Sequence, residues 1–214
     1  MSAVEPGAGV SLIARIRSIL TRPSETWDVV EAERAAVGDL LRYYVAPLAA
    51  VPAVCGLVGV LLFGDGVMQV AYRPGFAAGA AEAVAGYLLT LASVYVLSRV
   101  VDVLAPSFGG VSDPVQAFKL VAYAGTAGWV AGVFELLPVV GWLAGMIGRL
   151  YSLYLLYLGL PKLMKAPVER RLSYFALVLV AALVLSMAAG AITSRIRDQG
   201  GPLRMTGIGA SQFA

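Results

Sequence analysis

The run from Val139 to Pro161, VVGWLAGMIGRLYSLYLLYLGLP, is apolar and long enough to cross a bilayer as a helix, yet it carries one charge, Arg149, close to its midpoint. A guanidinium at mid-bilayer costs roughly 3 kcal/mol on insertion scales, so Arg149 is expected to face the protein interior or a wet cavity. Helical spacing puts Gly141, Gly145, Gly148, Ser152 and Gly159 on one narrow strip, a groove that lets a neighbouring helix approach closely. Tyr151, Tyr154 and Tyr157 fan out on the other side. The expectation is a packed helix at the centre of a membrane bundle.

The rest of the chain points to several spans rather than one buried core. Of its 214 residues 59% are hydrophobic and 14% charged, with a mean hydropathy of +0.82, far more apolar than a soluble domain. The net charge of +3 does not indicate nucleic acid, because Lys and Arg cluster at the ends of apolar blocks, where they act as topology signals. There is no histidine, and the one cysteine, Cys55, sits in an apolar run as a small packing residue. Disulfide frameworks, Cys/His zinc sites and histidine-based acid–base or triad chemistry are thereby excluded within the chain, and no cofactor or metal site is expected. The opening MSAVEPGAGV lacks the basic and apolar regions of a cleavable signal peptide.

Residues 1–40 read as a cytoplasmic N-terminal segment. Within it, Ser11 to Arg22 forms an amphipathic helix with Leu12, Ile13, Ile16, Ile19 and Leu20 on one arc and Arg15, Arg17 and Arg22 on the rest. Such a helix lies on the membrane or packs its apolar face on the protein's own spans. Pro23, Ser24 and Glu25 open a second short helix, and Trp27 is expected to anchor at the membrane interface.

Residues 41–194 hold five spans. The first, about Leu41 to Phe63, contains Pro47 and Pro52 and is expected to kink or break. The second, about Phe76 to Val101, has Gly79, Ala83, Gly86, Thr90 and Ser93 on a second close-packing seam, carries Glu82, and closes with Arg99 and Asp102 able to pair. The third, about Val115 to Leu137, includes Lys119 and Glu135 and reverses at Pro138 into the fourth. The fifth, Leu172 to Ile192, is uncharged, and residues 195–214 read as a flexible tail. With the N-terminus in the cytoplasm, eleven Lys and Arg flank the inner ends of the spans and four, Arg73, Arg195, Arg197 and Arg204, the outer ends. That asymmetry favours a cytoplasmic N-terminus and an outside C-terminus.

From Phe108 to Tyr174 the chain resembles the Ypt-interacting protein (Yip) family in its bacterial form. The resemblance is carried by FGG at Phe108 to Gly110, QAFKLVAYA from Gln116 to Ala124, Trp129, Pro138 with Gly141, and LYSLYLLYLGLP from Leu150 to Pro161 followed by Lys162, Leu163 and Met164. Upstream, RPSETW from Arg22 to Trp27 is similar to the N-terminal signature of the bacterial members. The resemblance implies five membrane helices, a cytoplasmic N-terminus and a bacterial inner-membrane location. Eukaryotic relatives associate with Rab-type GTPases, but their Asp-Leu-Tyr-Gly-Pro motif is absent here, so that partner does not carry over. Ala127 and Gly128 stand where many bacterial relatives have a proline.

Arg149 is the leading site candidate, with Glu82 expected as its partner and Glu135 nearer the outer face. The pair would either fix helix register or line a pathway, as would Tyr151 and Tyr154. Lys162, Lys165, Arg170 and Arg171, with Arg15 and Arg17, are candidates for anionic lipid head groups. The glycine strips, Gly141, Gly145 and Gly148 with Gly79 and Gly86, imply a compact bundle or a homo-oligomer. The first functional expectation is a non-enzymatic scaffold or membrane-organising factor acting through lipids or protein partners. The second is a small transporter or channel. An enzyme is least favoured, since no paired Asp or Ser/His constellation lies within the spans.

Overall fold

A computed structural model describes residues 11–64 and 75–199, all helical or in short connections, with no β-strand among them. Residues 65–74, with Arg73, and 200–214, with Arg204, lie outside the described residues; of the expected tail 195–214, residues 195–199 continue the last helix. Helix α1, Leu12–Thr21, starts at Ser11, whose Oγ accepts from the Ala14 N–H at 3.2 Å. Helix α2, Pro23–Ala32, starts on its proline and carries Glu25 in the first turn, where a carboxylate meets the positive end of the helix dipole. Helix α3, Val37–Leu40, leads through a π-helical turn, Leu41–Val45, into α4, Ala46–Phe63. The wide turn lies directly before Pro47 and holds the residue four back from it, Tyr43, whose carbonyl a proline ring would otherwise strike. The first span therefore continues through both prolines rather than breaking.

Helix α5, Phe76–Leu104, runs into a 3-10 turn, Ala105–Phe108, and stops at Gly109, whose φ of 77° favours glycine. Helix α6, Pro114–Ala124, is capped by Asp113, which accepts from the N–H groups of Val115 and Gln116 at 2.9 and 3.0 Å. Helix α7, Thr126–Ala131, passes into a second 3-10 stretch, Gly132–Leu136. Leu137 is extended, and α8, Pro138–Leu163, starts at once, as a tight reversal requires. Helix α9, Val168–Gln199, completes the fold. Five stretches are long and apolar enough to cross a membrane: Val37–Phe63, Phe76–Phe108, Pro114–Leu136, Val140–Leu163 and Val168–Ile196.

The centre of this bundle is the third span, not the fourth. Two-thirds of the third span's most apolar window is buried in protein, against about a quarter of the fourth's and almost none of the fifth's. Its hydropathy is also the lowest of the five, 1.3, so it gains least from lipid and most from being surrounded. Helices α5 and α8 flank α6, while α4 and α8 flank α7 and the 3-10 stretch. The fourth span lies beside this core and turns its glycines toward it: a Cβ on Gly148 would come within 2.5 Å of Ala131 Cβ and 2.9 Å of the Ala127 carbonyl.

Helices α1 and α2 form a layer across one end of the bundle with their apolar sides turned inward. Ile19 and Trp27 are fully buried, and Leu12, Ile16 and Leu20 pack on the core, leaving Ile13 outward. Trp27 is thus not an interface anchor; it stands edge-on to Tyr123 at 6.3 Å and against Gly159, where a Cβ would fall 2.7 Å from its ring. Polar groups of the spans hold this layer. Lys119, 2% exposed, donates from Nζ to the Val30 carbonyl at 2.9 Å and to the Glu33 carbonyl, and Gln116 Nε2 donates to the Glu31 carbonyl at 3.0 Å. The Tyr151 hydroxyl donates to the Leu20 carbonyl at 2.8 Å, and Lys162 donates to the Ser24 carbonyl and to Asp28.

Two stability differences follow, both read as unfolding midpoints in detergent micelles. Lys119→Met strands the buried Val30 carbonyl and the half-buried Glu33 carbonyl and costs about 1–3 kcal/mol, whereas Lys162→Met, which loses more exposed partners, costs under about 1 kcal/mol. Gly148→Val forces α8 off the third span and lowers stability by about 1–3 kcal/mol.

Candidate functional site

At the end of the bundle away from α1 and α2, the helices part around a cavity of about 540 Å³. Helix α4 contributes Pro52, Gly56 and Val60, α5 contributes Gly79, Glu82, Gly86 and Tyr87, and the third span contributes Gly125, Trp129 and Glu135. Helix α8 adds Gly145 and Arg149, and α9 adds Thr193. The cavity exists because small residues face it from several sides. On α5, Gly79, Glu82, Ala83 and Gly86 share one face, so the strip expected to be a packing seam is a cavity wall.

The glycines therefore divide by role. A Cβ on Gly141 would lie 2.6 Å from the Phe134 carbonyl, so Gly141 and Gly148 permit close helix approach as expected. At Gly86 and Gly145 a Cβ would meet nothing within 4 Å, so these two line open space and their expected packing role is corrected. Gly79 is buried and lines the cavity.

Arg149, Glu82 and Glu135 all line this one cavity. Arg149 and Glu135 are near enough for the arginine's charge to act on the carboxylate, but they form no ion pair with each other within 4.0 Å. Glu135 is set by the 3-10 stretch at the far end of the third span, and Gly56 leaves room for it: a Cβ there would sit 3.0 Å from its Oε2. Glu82, expected as the arginine's partner, shares the cavity with it and is itself engaged in an interaction. A guanidinium, two carboxylates and a polar–apolar wall can bind a small charged or dipolar solute, while no cluster able to hold a metal ion occurs among the described residues.

The other candidates lie elsewhere. Tyr151 and Tyr154 do not line the cavity: their rings contact each other at 5.6 Å, Tyr151 bonds Leu20, and Tyr154 is half exposed. Arg15 does not face head groups; it is 9% exposed, pairs with Glu33 and lies over the Tyr123 ring. Lys162 and Lys165 are drawn onto Asp28 and Glu31 of α2, and Arg171 lies 3.8 Å over the Tyr157 ring. Arg17 and Arg170 are exposed, the latter 3.5 Å from the Ser107 carbonyl. As expected, Arg99 pairs with Asp102, at 3.3 Å, and Ser112 Oγ donates to the same carboxylate at 2.8 Å.

Sequence reasoning missed two features. One is the buried hydroxyl cluster where Tyr44 and Thr126 share a hydrogen bond of 2.8 Å and the Tyr44 and Tyr123 rings lie 4.6 Å apart. The other is the cavity itself. Its signal was Glu82, which shares a face with Gly79 and Gly86, since a carboxylate does not belong in a dry, close-packed seam.

The Yip1 domain matches residues 17–190. The chain is 27% identical over 169 residues to the inner membrane protein YohC of Escherichia coli K12, and equally to that of Escherichia coli O6:H1, covering 76% of this chain and 85% of the relative. No solved structure matches. The family match takes in the N-terminal layer from Arg17 onward and nearly all of the five spans, including Glu82, Glu135 and Arg149, and on that extent the chain belongs to the Yip1 domain family.

Proposed function

We propose that this chain is a non-enzymatic inner-membrane protein that binds a small polar solute within its bundle and works as a small transporter, with its N-terminus cytoplasmic and its C-terminus outside. The observation that carries this reading is the cavity shared by Glu82, Glu135 and Arg149. Charges within membrane spans are retained at a cost, and here three of them converge on one open space rather than on dry helix contacts. The location is supported by the relative's name, an inner membrane protein. The orientation is supported by the bundle's basic end, where Arg17, Arg99, Lys119, Lys162, Lys165 and Arg170 gather around α1, α2 and the 3-10 turn at Ala105–Phe108.

A scaffold reading draws on a different observation, the exposed Arg17 and Arg170 at that basic end. With Lys162 and Lys165 already engaged by α2, fewer cations are free for anionic lipid than the sequence suggests, which favours the cavity reading.

Thiol access tests the wet cavity and its direction. In a Cys55→Ser chain, Gly145→Cys and Gly86→Cys should react with a membrane-impermeant charged thiol reagent, faster in spheroplasts than in inverted vesicles, and Val184→Cys on the exposed side of α9 should stay unreactive. Reaction only in inverted vesicles would reverse the orientation; no reaction at either glycine position would remove the wet cavity. Transport itself is checked by uptake of labelled amino acids and inorganic anions into proteoliposomes. Flux lost in Arg149→Leu but kept in Leu179→Ala supports the reading, and equal flux in both sinks it.

A further inference from the structure

The charges of the cavity also bear on what fills it. Arg149 and Glu135 line the same space, each within the other's field, yet they do not close into an ion pair. Opposite charges facing one cavity attract, and where the backbone holds them apart the space between suits a ligand that meets both. Two features maintain the separation. Glu135 is fixed on the 3-10 stretch whose backbone abuts α4 at Gly59, where a Cβ would fall 2.3 Å from the Glu135 carbonyl. Arg149 is fixed on α8, whose neighbouring Gly148 locks against Ala131 and Ala127. The space between is not packed, for Gly145 meets nothing within 4 Å, and the wall beside it carries the aromatic Trp129 and Tyr87.

Resting on the reading of this space as a solute cavity, we propose that it takes a zwitterion, a molecule with an ammonium group for Glu135 and an anionic carboxylate or phosphate for Arg149, joined by a short carbon skeleton. A guanidinium binds either oxyanion through paired N–H donors, and a carboxylate accepts from an ammonium, so one dipolar ligand satisfies both ends at once. A simple anion would leave Glu135 without a cation, and a simple cation would leave the guanidinium's N–H donors without an oxyanion; Glu82, the other carboxylate of the cavity, is already engaged in an interaction. A cavity of about 540 Å³ holds an amino acid or an ethanolamine phosphate head group with room for water. The same chemistry is offered by a free solute and by the head group of a zwitterionic lipid.

The test uses the full chain in nanodiscs of phosphatidylglycerol alone, with binding followed by calorimetry. Glycine, β-alanine and phosphoethanolamine are the zwitterionic probes; methylamine, acetate and inorganic phosphate carry one kind of charge. At least one zwitterion should bind and the singly charged compounds should not. Arg149→Gln and Glu135→Gln should each weaken that binding about tenfold or more, and Gly145→Leu, which fills the cavity while leaving both charged groups in the chain, should do the same. Arg149→Lys keeps the charge and should bind better than Arg149→Gln, which separates lost recognition from lost folding. If adding phosphatidylethanolamine to the nanodisc blocks the soluble probe, the lipid head group is the source; if it does not, the solute is free. Equal binding of acetate or methylamine, or no zwitterion binding by the wild-type chain, overturns the proposal. In that event a reactive Gly145→Cys leaves the solute-cavity reading standing, while an unreactive one removes both.

Discussion

Lys119 donates to the carbonyls of Val30 and Glu33 at the C-terminal end of α2, and that contact joins the innermost helix to the layer that covers it. A buried ammonium persists only where oxygen atoms replace its water, and the end of a helix supplies them with the favourable sign of its dipole. The arrangement is mutual: α2 ends on a cation, and the third span gains a cover for its least apolar end. Tyr151, Gln116 and Lys162 add further bonds from the spans to the same layer, so the N-terminal helices are part of the bundle rather than an appendage on the membrane.

At the other end of the bundle the physical problem is reversed. Helices α4 and α8 flank the third span there, with α5 across the cavity, and the facing residues are too small to fill the space between them. Glycine has opposite consequences according to what faces it. Against Ala131, Gly148 draws two helices into contact; at Gly145, one turn away on the same strip, there is no partner and the strip becomes a wall. The charged groups lie where the packing stops. Arg149, placed near mid-span by sequence, thereby gains a polar surrounding without being enclosed.

Much of the fold was legible because it is written in length and polarity. Five apolar blocks became five spans, and Pro138 marked the reversal. What could not be read was which span lies inside, because the fourth span's glycines and arginine suggested centrality and the third span's hydropathy, 1.3 against 1.4, hardly distinguishes the two. Arg15 and Trp27 looked interfacial from their neighbours in sequence, yet their partners, Glu33, Tyr123 and Gly159, come from elsewhere in the chain. For the site, the charged residues were found and their meeting in one space was anticipated only for Arg149 and Glu82. Glu135 joins them because the third span tightens into a 3-10 stretch, a local change of winding that its apolar sequence does not announce.

The hydroxyl pair of Tyr44 and Thr126 bears on what could pass through the bundle. Thr126 follows Gly125, a cavity residue, and both hydroxyl-bearing side chains are buried, with the Tyr123 ring beside Tyr44 and Arg15 over that ring. A solute taken up by the proposed cavity would meet this buried pair rather than an open pore. Passage to the far side would require one short hydrogen bond to part and a tyrosine ring to swing, so the barrier to crossing is concentrated in a few atoms of the first and third spans.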